Sequence, residues 1–262
     1  MVAGAAEGLG AEFSRLLASN GKNLILVDRN EDQLNMLVTS IQQTSRVEVR
    51  TTLLDLTQKH ALETISEQLK FTKCSLVVYN AAYGPVKKFL ENNEEELDYY
   101  IDLNARIPLI LAHRFASLRI NQGPAGFLMM SSLAGLRGTM LVAPYAATKA
   151  FDWNLMEGLF YEFKNTNIDF TACCAGPIAT PGYISTKPGS ARFKPKDAHP
   201  ADVAREALSA LGESAIWIEG QGNRWSDFLM RRILPHSWAS VMANKTMKEI
   251  FKAQWGSGYD KI

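Results

Sequence analysis

The 262 residues carry 28 Lys and Arg against 27 Asp and Glu, a formal net charge of +1, with 47% hydrophobic residues. So even a balance gives no reason to expect nucleic acid or a strongly charged partner, and the length suits one domain with ample chain to bury a core. The three cysteines make no disulfide framework, and His60, His113, His199 and His236 are scattered with no metal-ligand spacing. No apolar run approaches the ~18 residues of a membrane span. Met1–Gly10 also lacks the basic head and apolar stretch of an export signal. The expectation is a cytoplasmic protein with reduced thiols and no metal.

In chain order, Met1-Val2-Ala3 is followed by Gly4, Gly8 and Gly10 in G-x-x-x-G-x-G spacing, then by Ala11–Ala18 in helical period. Missing side chains there let backbone N–H groups approach a pyrophosphate at a helix N-terminus. A strand usually has about five residues, so the first is expected to be short, either truncated or recorded from a start downstream of the natural one. Leu24–Val27 is an apolar strand ending in Asp28, 18 residues after Gly10, where an acid binds a ribose 2'-hydroxyl in dinucleotide folds. A helix over 32–43 places Leu34, Leu37, Val38 and Ile41 on one face. Strand 47–54, helix 61–69 and the buried strand 74–79 follow, the last leading into Asn80. Glu94, Glu95 and Glu96 open a helix that continues past Asn104 to Pro108. Pro108 removes a backbone bond and leaves the carbonyl near Asn104 open to water.

Gly126–Met130 has strand length and would present Ser131 or Ser132 at its carboxyl end, the edge where parallel sheets hold ligands. After Pro144 the chain turns helical, so Tyr145 and Lys149 leave one face together. Phe151, Leu155, Leu159 and Phe163 continue that helix as core or dimer positions, and Cys173 and Cys174 alternate across a strand beginning at Ile168. The segment 180–200, with four prolines and two glycines, has the make-up of a substrate lid over 181–200. Helix 201–211 and strand 215–218 come next. From Gly222 to Ile262 the chain is basic and aromatic, with Trp225, Trp238 and Trp255. Two readings are open to this extension: covering the substrate cleft and a subunit interface, which is preferred, or resting on a membrane surface or binding an acyl chain.

The fold expected is an α/β doubly wound, Rossmann-type parallel sheet with helices on both faces and a shortened first strand, one domain over 1–262. Along almost its whole length the sequence resembles the short-chain dehydrogenase/reductases. Asp55-Leu56 resembles the family's adenine-contacting pair, Asn80-Ala81-Ala82-Tyr83-Gly84 its Asn-Asn-Ala-Gly element, and Ala175–Thr180 its Pro-Gly-x-x-x-Thr segment. Ala3 departs from the family's Thr. Asn104, Ser132, Tyr145 and Lys149 match the catalytic group; Ser132 is chosen over Ser131 because it stands 13 residues before Tyr145.

The resemblance implies hydride transfer between a nicotinamide and a hydrophobic secondary alcohol or ketone, steroid-like or acyl. Tyr145 would be the general acid or base, Lys149 would make it acidic enough and hold the ribose hydroxyls, Ser132 would bind the substrate oxygen and Asn104 would support a proton relay. The cofactor set it implies is Gly4, Gly8, Leu9, Gly10, Asp28, Arg29, Asp55, Leu56, Asn80, Ala81, Tyr145, Lys149, Pro177, Ile178 and Thr180. Asp28 and Glu7 favour NAD, and Arg29 argues for NADP as the alternative. A homodimer or homotetramer paired through the Tyr145 helix is implied as well. The competing expectation is a catalytically silent relative that binds a nucleotide or a partner, the first strand and Ala3 having spoiled the loop.

Overall fold

Short apolar runs alternating with amphipathic helices can bury both faces of a sheet only when helices cover each side. The computed structural model describes residues 1–191 and 194–256. Among these, seven strands, β1 (Val2–Ala3), β2 (Leu24–Asp28), β3 (Val49–Leu53), β4 (Leu76–Tyr79), β5 (Ala125–Ser132), β6 (Ile168–Ala175) and β7 (Ile216–Ile218), form one parallel sheet in the order β3-β2-β1-β4-β5-β6-β7. The order reverses between β1 and β4, which opens a crevice at the carboxyl ends of the strands. The doubly wound expectation holds.

Helices α1 (Gly8–Ser19), α2 (Glu31–Thr44), α3 (Ala61–Thr72), α4 (Glu94–Ile101), α5 (Ile107–Arg119), α6 (Ala143–Glu162), α7 (Pro181–Ser185) and α8 (Pro200–Ala210) connect the strands. One core cluster joins Ile65, Leu111, Phe115 and Met156 of α3, α5 and α6 to Phe127 and Phe170 of the sheet. Phe127 lies between Phe115 and Phe170, with ring centroids 5.9 and 6.0 Å away. The opposite cluster joins Phe13, Leu37 and Val203 of α1, α2 and α8 to Leu26 and Leu128. Each fully buried side chain of this size contributes about 1.5–3 kcal/mol. Cys173 belongs to this second cluster, whereas Cys174 packs with Trp153 and Ile218 on the other face, so the adjacent thiols point apart.

The first strand is short, as expected, yet it is central: Val2 pairs with Leu26 and Val78, and Ala3 with Val27 and Tyr79. The expected single helix from Glu94 to Pro108 is instead three pieces, because a π-helical turn at Asp102–Arg106 separates α4 from α5. Pro108 has no N–H to give the Asn104 carbonyl, and widening the turn around Asn104 accommodates that loss.

The proline-rich segment after β6 is less irregular than its composition suggests. It carries α7, and Ala198 bridges back to Ile178. Beyond β7 come α9 (Gln221–Phe228), α10 (His236–Ile250) and α11 (Lys252–Trp255). Of the lid and the extension read from the sequence, residues 192–193 and 257–262 lie outside the described residues. Among the described residues no helix is long and apolar enough to cross a membrane.

Candidate active site

The glycine loop is shaped by backbone that other residues would not tolerate. Gly4 and Gly8 have φ of +74° and +56°, and a Cβ on Gly10 would lie 1.9 Å from the Gly4 carbonyl oxygen. No side chain caps α1 at Glu7, so the N–H groups of its first turn are left to a ligand. The loop is tied down from both sides. Asp28 Oδ2 accepts the Ala6 N–H at 2.9 Å, Asn80 Nδ2 donates to Gly4 O at 2.9 Å, and the Asn80 and Ala81 N–H groups donate to Ala3 O. Main chain and the Asn80 amide thus bind the loop to the β4 end without a hydroxyl at position 3. An uncapped helix start beside an open crevice fits the pyrophosphate of a dinucleotide.

Asp28 ends β2, and Asp55 lies two residues beyond β3. Arg29 reaches from the first towards the second, donating to the Tyr99 hydroxyl at 2.8 Å and lying 3.8 Å from Asp55. Leu56, Ala81, Pro177, Ile178 and Thr180 line the same cleft, together with Gly4, Gly8, Leu9, Asp28, Arg29, Asp55 and Asn80. Gly10 does not line it; its role is the close packing against Gly4.

Ser132 ends β5 and accepts the Ala134 N–H at 3.1 Å, which starts a short 3-10 turn and leaves its own hydrogen to donate elsewhere. Tyr145 lies in the first turn of α6, its ring against Gly84, where a Cβ would come within 2.6 Å. Below it, Lys149 Nζ lies 5.8 Å from the Tyr145 ring centroid and donates to Met130 O and Asp152 Oδ2, both at 2.8 Å. Burial works to lower the Lys149 pKa, but Asp152 holds it above the ordinary lysine value. Ser131, the neighbour not chosen, turns away to bond Lys149 O at 3.0 Å and so seats α6.

Ser132, Tyr145 and Lys149 therefore meet on one cleft, and Asn104 stands one layer behind. Its amide accepts the Tyr83 N–H at 2.8 Å and donates to Tyr83 O and Thr148 Oγ1, clamping the 80–84 loop to α6.

The substrate side is built from parts far apart in sequence. Ile250 and Phe251 pack with Leu141, and Met140, Val86, Tyr183 and Met247 surround them. Asn244 of α10 accepts the Met140 N–H at 2.7 Å, and Arg137 donates to Met230 O and to His236 Nδ1. The C-terminal helices thus pack along the cleft. The whole crevice has a volume of about 880 Å³. Sequence reasoning missed Asp152, Arg137 and Asn244. Only Asp152 had a local signal, an acid one helical turn after Lys149.

Residues 1–189 match the family model described as short chain dehydrogenase. The chain belongs to that family. Among its short-chain dehydrogenase relatives is the 7β-hydroxysteroid dehydrogenase of Clostridium sardiniense, 28% identical over 224 residues, 86% of each chain. A structure from a study of 7β-hydroxysteroid dehydrogenase stereoselectivity superposes with a TM-score of 0.84 at 26% identity, covering 92% of this chain and 95% of the other. The fold is shared as well with a bulky-bulky ketone specific alcohol dehydrogenase from Comamonas testosteroni, TM-score 0.73 at 22% identity over 99% and 97% of the two chains. As a short-chain dehydrogenase, the protein is an NAD(P)-dependent oxidoreductase acting on CH–OH and C=O groups.

Proposed function

We propose that Ser132, Tyr145 and Lys149 carry out reversible oxidoreduction of a secondary alcohol or ketone on a bulky apolar skeleton of the steroid class. The observation that carries this reading is their convergence on the cleft that the glycine loop opens at one end and the C-terminal helices cover at the other. A bound nicotinamide supplies or takes the hydride. Tyr145 gives its phenolic proton to the carbonyl oxygen in reduction and takes it back in oxidation. The Lys149 ammonium, 5.8 Å from the ring centroid, supplies positive charge while that proton moves. Two of the three ammonium hydrogens are engaged by Met130 O and Asp152. The third is left for a ribose hydroxyl. Ser132 donates to the same substrate oxygen, and Asn104 holds the Tyr83 loop in register with α6.

The name of the 7β-hydroxysteroid relative, with the apolar wall of Leu141, Met247, Ile250 and Phe251, supports a large, mostly apolar substrate. For the cofactor, an acid at the end of β2 on the cleft disfavours a 2'-phosphate, and Arg29 is already engaged by Tyr99 and Asp55; both support NAD over NADP. The α5–α6 face, with Leu109 and Phe151 exposed, supports pairing of two subunits there.

The test is nicotinamide fluorescence with both dinucleotides, then turnover on a panel of steroids, bulky ketones and fatty acyl ketones. Native protein binds NAD more tightly and turns over steroid alcohols, whereas Tyr145→Phe binds equally well and loses turnover by at least ~100-fold, the scale of a general acid–base group. Full turnover by Tyr145→Phe would remove Tyr145 from the chemistry.

A further inference from the structure

The cation beneath Tyr145 has a partner whose role the reaction scheme leaves unexplained. Asp152 follows Lys149 by three residues on α6, and its Oδ2 meets the ammonium at 2.8 Å with the lysine side chain 2% exposed and the acid 0%. Asp152 Oδ1 is also buried and has no hydrogen-bond partner among the described residues. A buried acid kept for the fold alone normally has both oxygens satisfied. This one is held by a single group, the lysine of the active site.

Enclosing an ammonium in protein makes its proton easier to lose, and an adjacent carboxylate is the strongest local remedy. That balance is visible at Lys149: burial acts to lower its pKa, and the Asp152 charge and hydrogen bond more than reverse the effect. Burial raises the Asp152 pKa to about 6 against the pull of Lys149, and the 2.8 Å contact between the two has the geometry of an ion pair. The other groups facing the pair cannot replace it. Tyr79 of β4 and Cys174 of β6 are fully buried, burial holds both well above their usual values, and both therefore stay neutral. Met130 offers Lys149 only a carbonyl dipole.

We propose that Asp152 is a positioning residue of the active site: it keeps Lys149 protonated and pinned beneath Tyr145, and thereby extends the alkaline range over which the tyrosine can exchange its proton with substrate. The inference rests on the Tyr145–Lys149 reading above and adds a residue to it. Its consequence has a definite sign. Without the carboxylate, burial is left to act on Lys149, the amine becomes neutral at lower pH, and Tyr145 loses the positive charge beneath its ring.

The experiment is the pH profile of kcat/KM for oxidation of a 7β-hydroxysteroid at saturating dinucleotide. In the native enzyme the rate rises with pH and holds. In Asp152→Asn it turns down at least about one pH unit earlier, as the loss of an opposite charge within bonding distance requires. Asp152→Glu, which restores the charge, recovers the native limb. Asp152→Ser, with room for a water, is the second variant should Asn not fold. A folded Asn or Ser variant with the native alkaline limb overturns the proposal.

Where turnover of that alcohol is too slow to profile, acetic anhydride labelling of Lys149 at fixed pH is read by mass spectrometry. Roughly tenfold faster labelling in the variant, one pH unit of added neutral amine, supports the proposal, and native labelling overturns it. Failure of the underlying reading looks different, since then Tyr145→Phe keeps its turnover. Should Tyr145→Phe be inactive while Asp152→Asn keeps the native limb, only the role of Asp152 falls.

Discussion

The two ends of the cleft are made in opposite ways. The nucleotide end, from β1 to the start of α1, is a local device in which residues a few positions apart set a backbone path, with Gly4 and Gly8 at positive φ and Gly10 pressed against Gly4. The substrate end is a distant assembly: Leu141 after β5, Tyr183 of α7 and the helices beyond β7 meet only in the folded chain. A backbone device has almost no tolerance for substitution, whereas an apolar wall can be reshaped one side chain at a time. On the proposed reading, the first end therefore sets whether a dinucleotide binds, and the second sets which alcohol is accepted.

The largest effect should come from Gly10→Ala. Its Cβ would lie 1.9 Å from Gly4 O and 2.9 Å from Asn80 Nδ2, and the first of these is main chain that cannot swing aside. The expected loss is about 3 kcal/mol, the upper part of the overpacking range, or roughly a hundredfold in dinucleotide affinity if it falls on the loop. Fluorescence titration and a thermal melt read the two components. Native binding by Gly10→Ala would break the contrast at its stronger end.

Phe251→Ala sharpens it from the other side. Phe251 is 4% exposed and packs with Leu141 and Ile250 beside the cleft. Losing part of that wall should raise KM for a steroid ketone about tenfold, since burying such a side chain is worth roughly 1.5–3 kcal/mol, with dinucleotide affinity unchanged. Dinucleotide affinity and KM moving together would show that the ends are mechanically one.

The same contrast explains what could be read before the fold was known. Gly4, Gly8, Gly10, Asp28 and the Tyr145–Lys149 pair are local patterns, so they could be read together along the chain and matched to a family, and the structure puts all but Gly10 on the cleft. The break at Asp102–Arg106 was half legible: Pro108 announced a missing bond but not that a wide turn would absorb it. Arg137 bonding Met230 O and Asn244 holding Met140 join residues that no periodicity connects, so no signal for them existed in the chain. Asp152 is the instructive case. The signal was present at helical spacing, yet a Lys–Asp pair on a helix usually means a solvated face, and only its burial shows otherwise.

Gly158→Ala serves as the baseline for both ends and should have the smallest effect. Gly158 is interior to α6, the helix that carries Tyr145 and Lys149, and a Cβ there would meet nothing within 4 Å. Its φ is not in the left-handed region, so alanine fits the existing backbone and removes only the freedom that glycine has in the unfolded chain. The expected gain is about 0.5–1 kcal/mol, seen as a higher melting temperature with kcat, KM and dinucleotide affinity unchanged. A fall in kcat with that gain would mean that α6 has to flex during turnover, and both ends of the cleft would then depend on the helix between them.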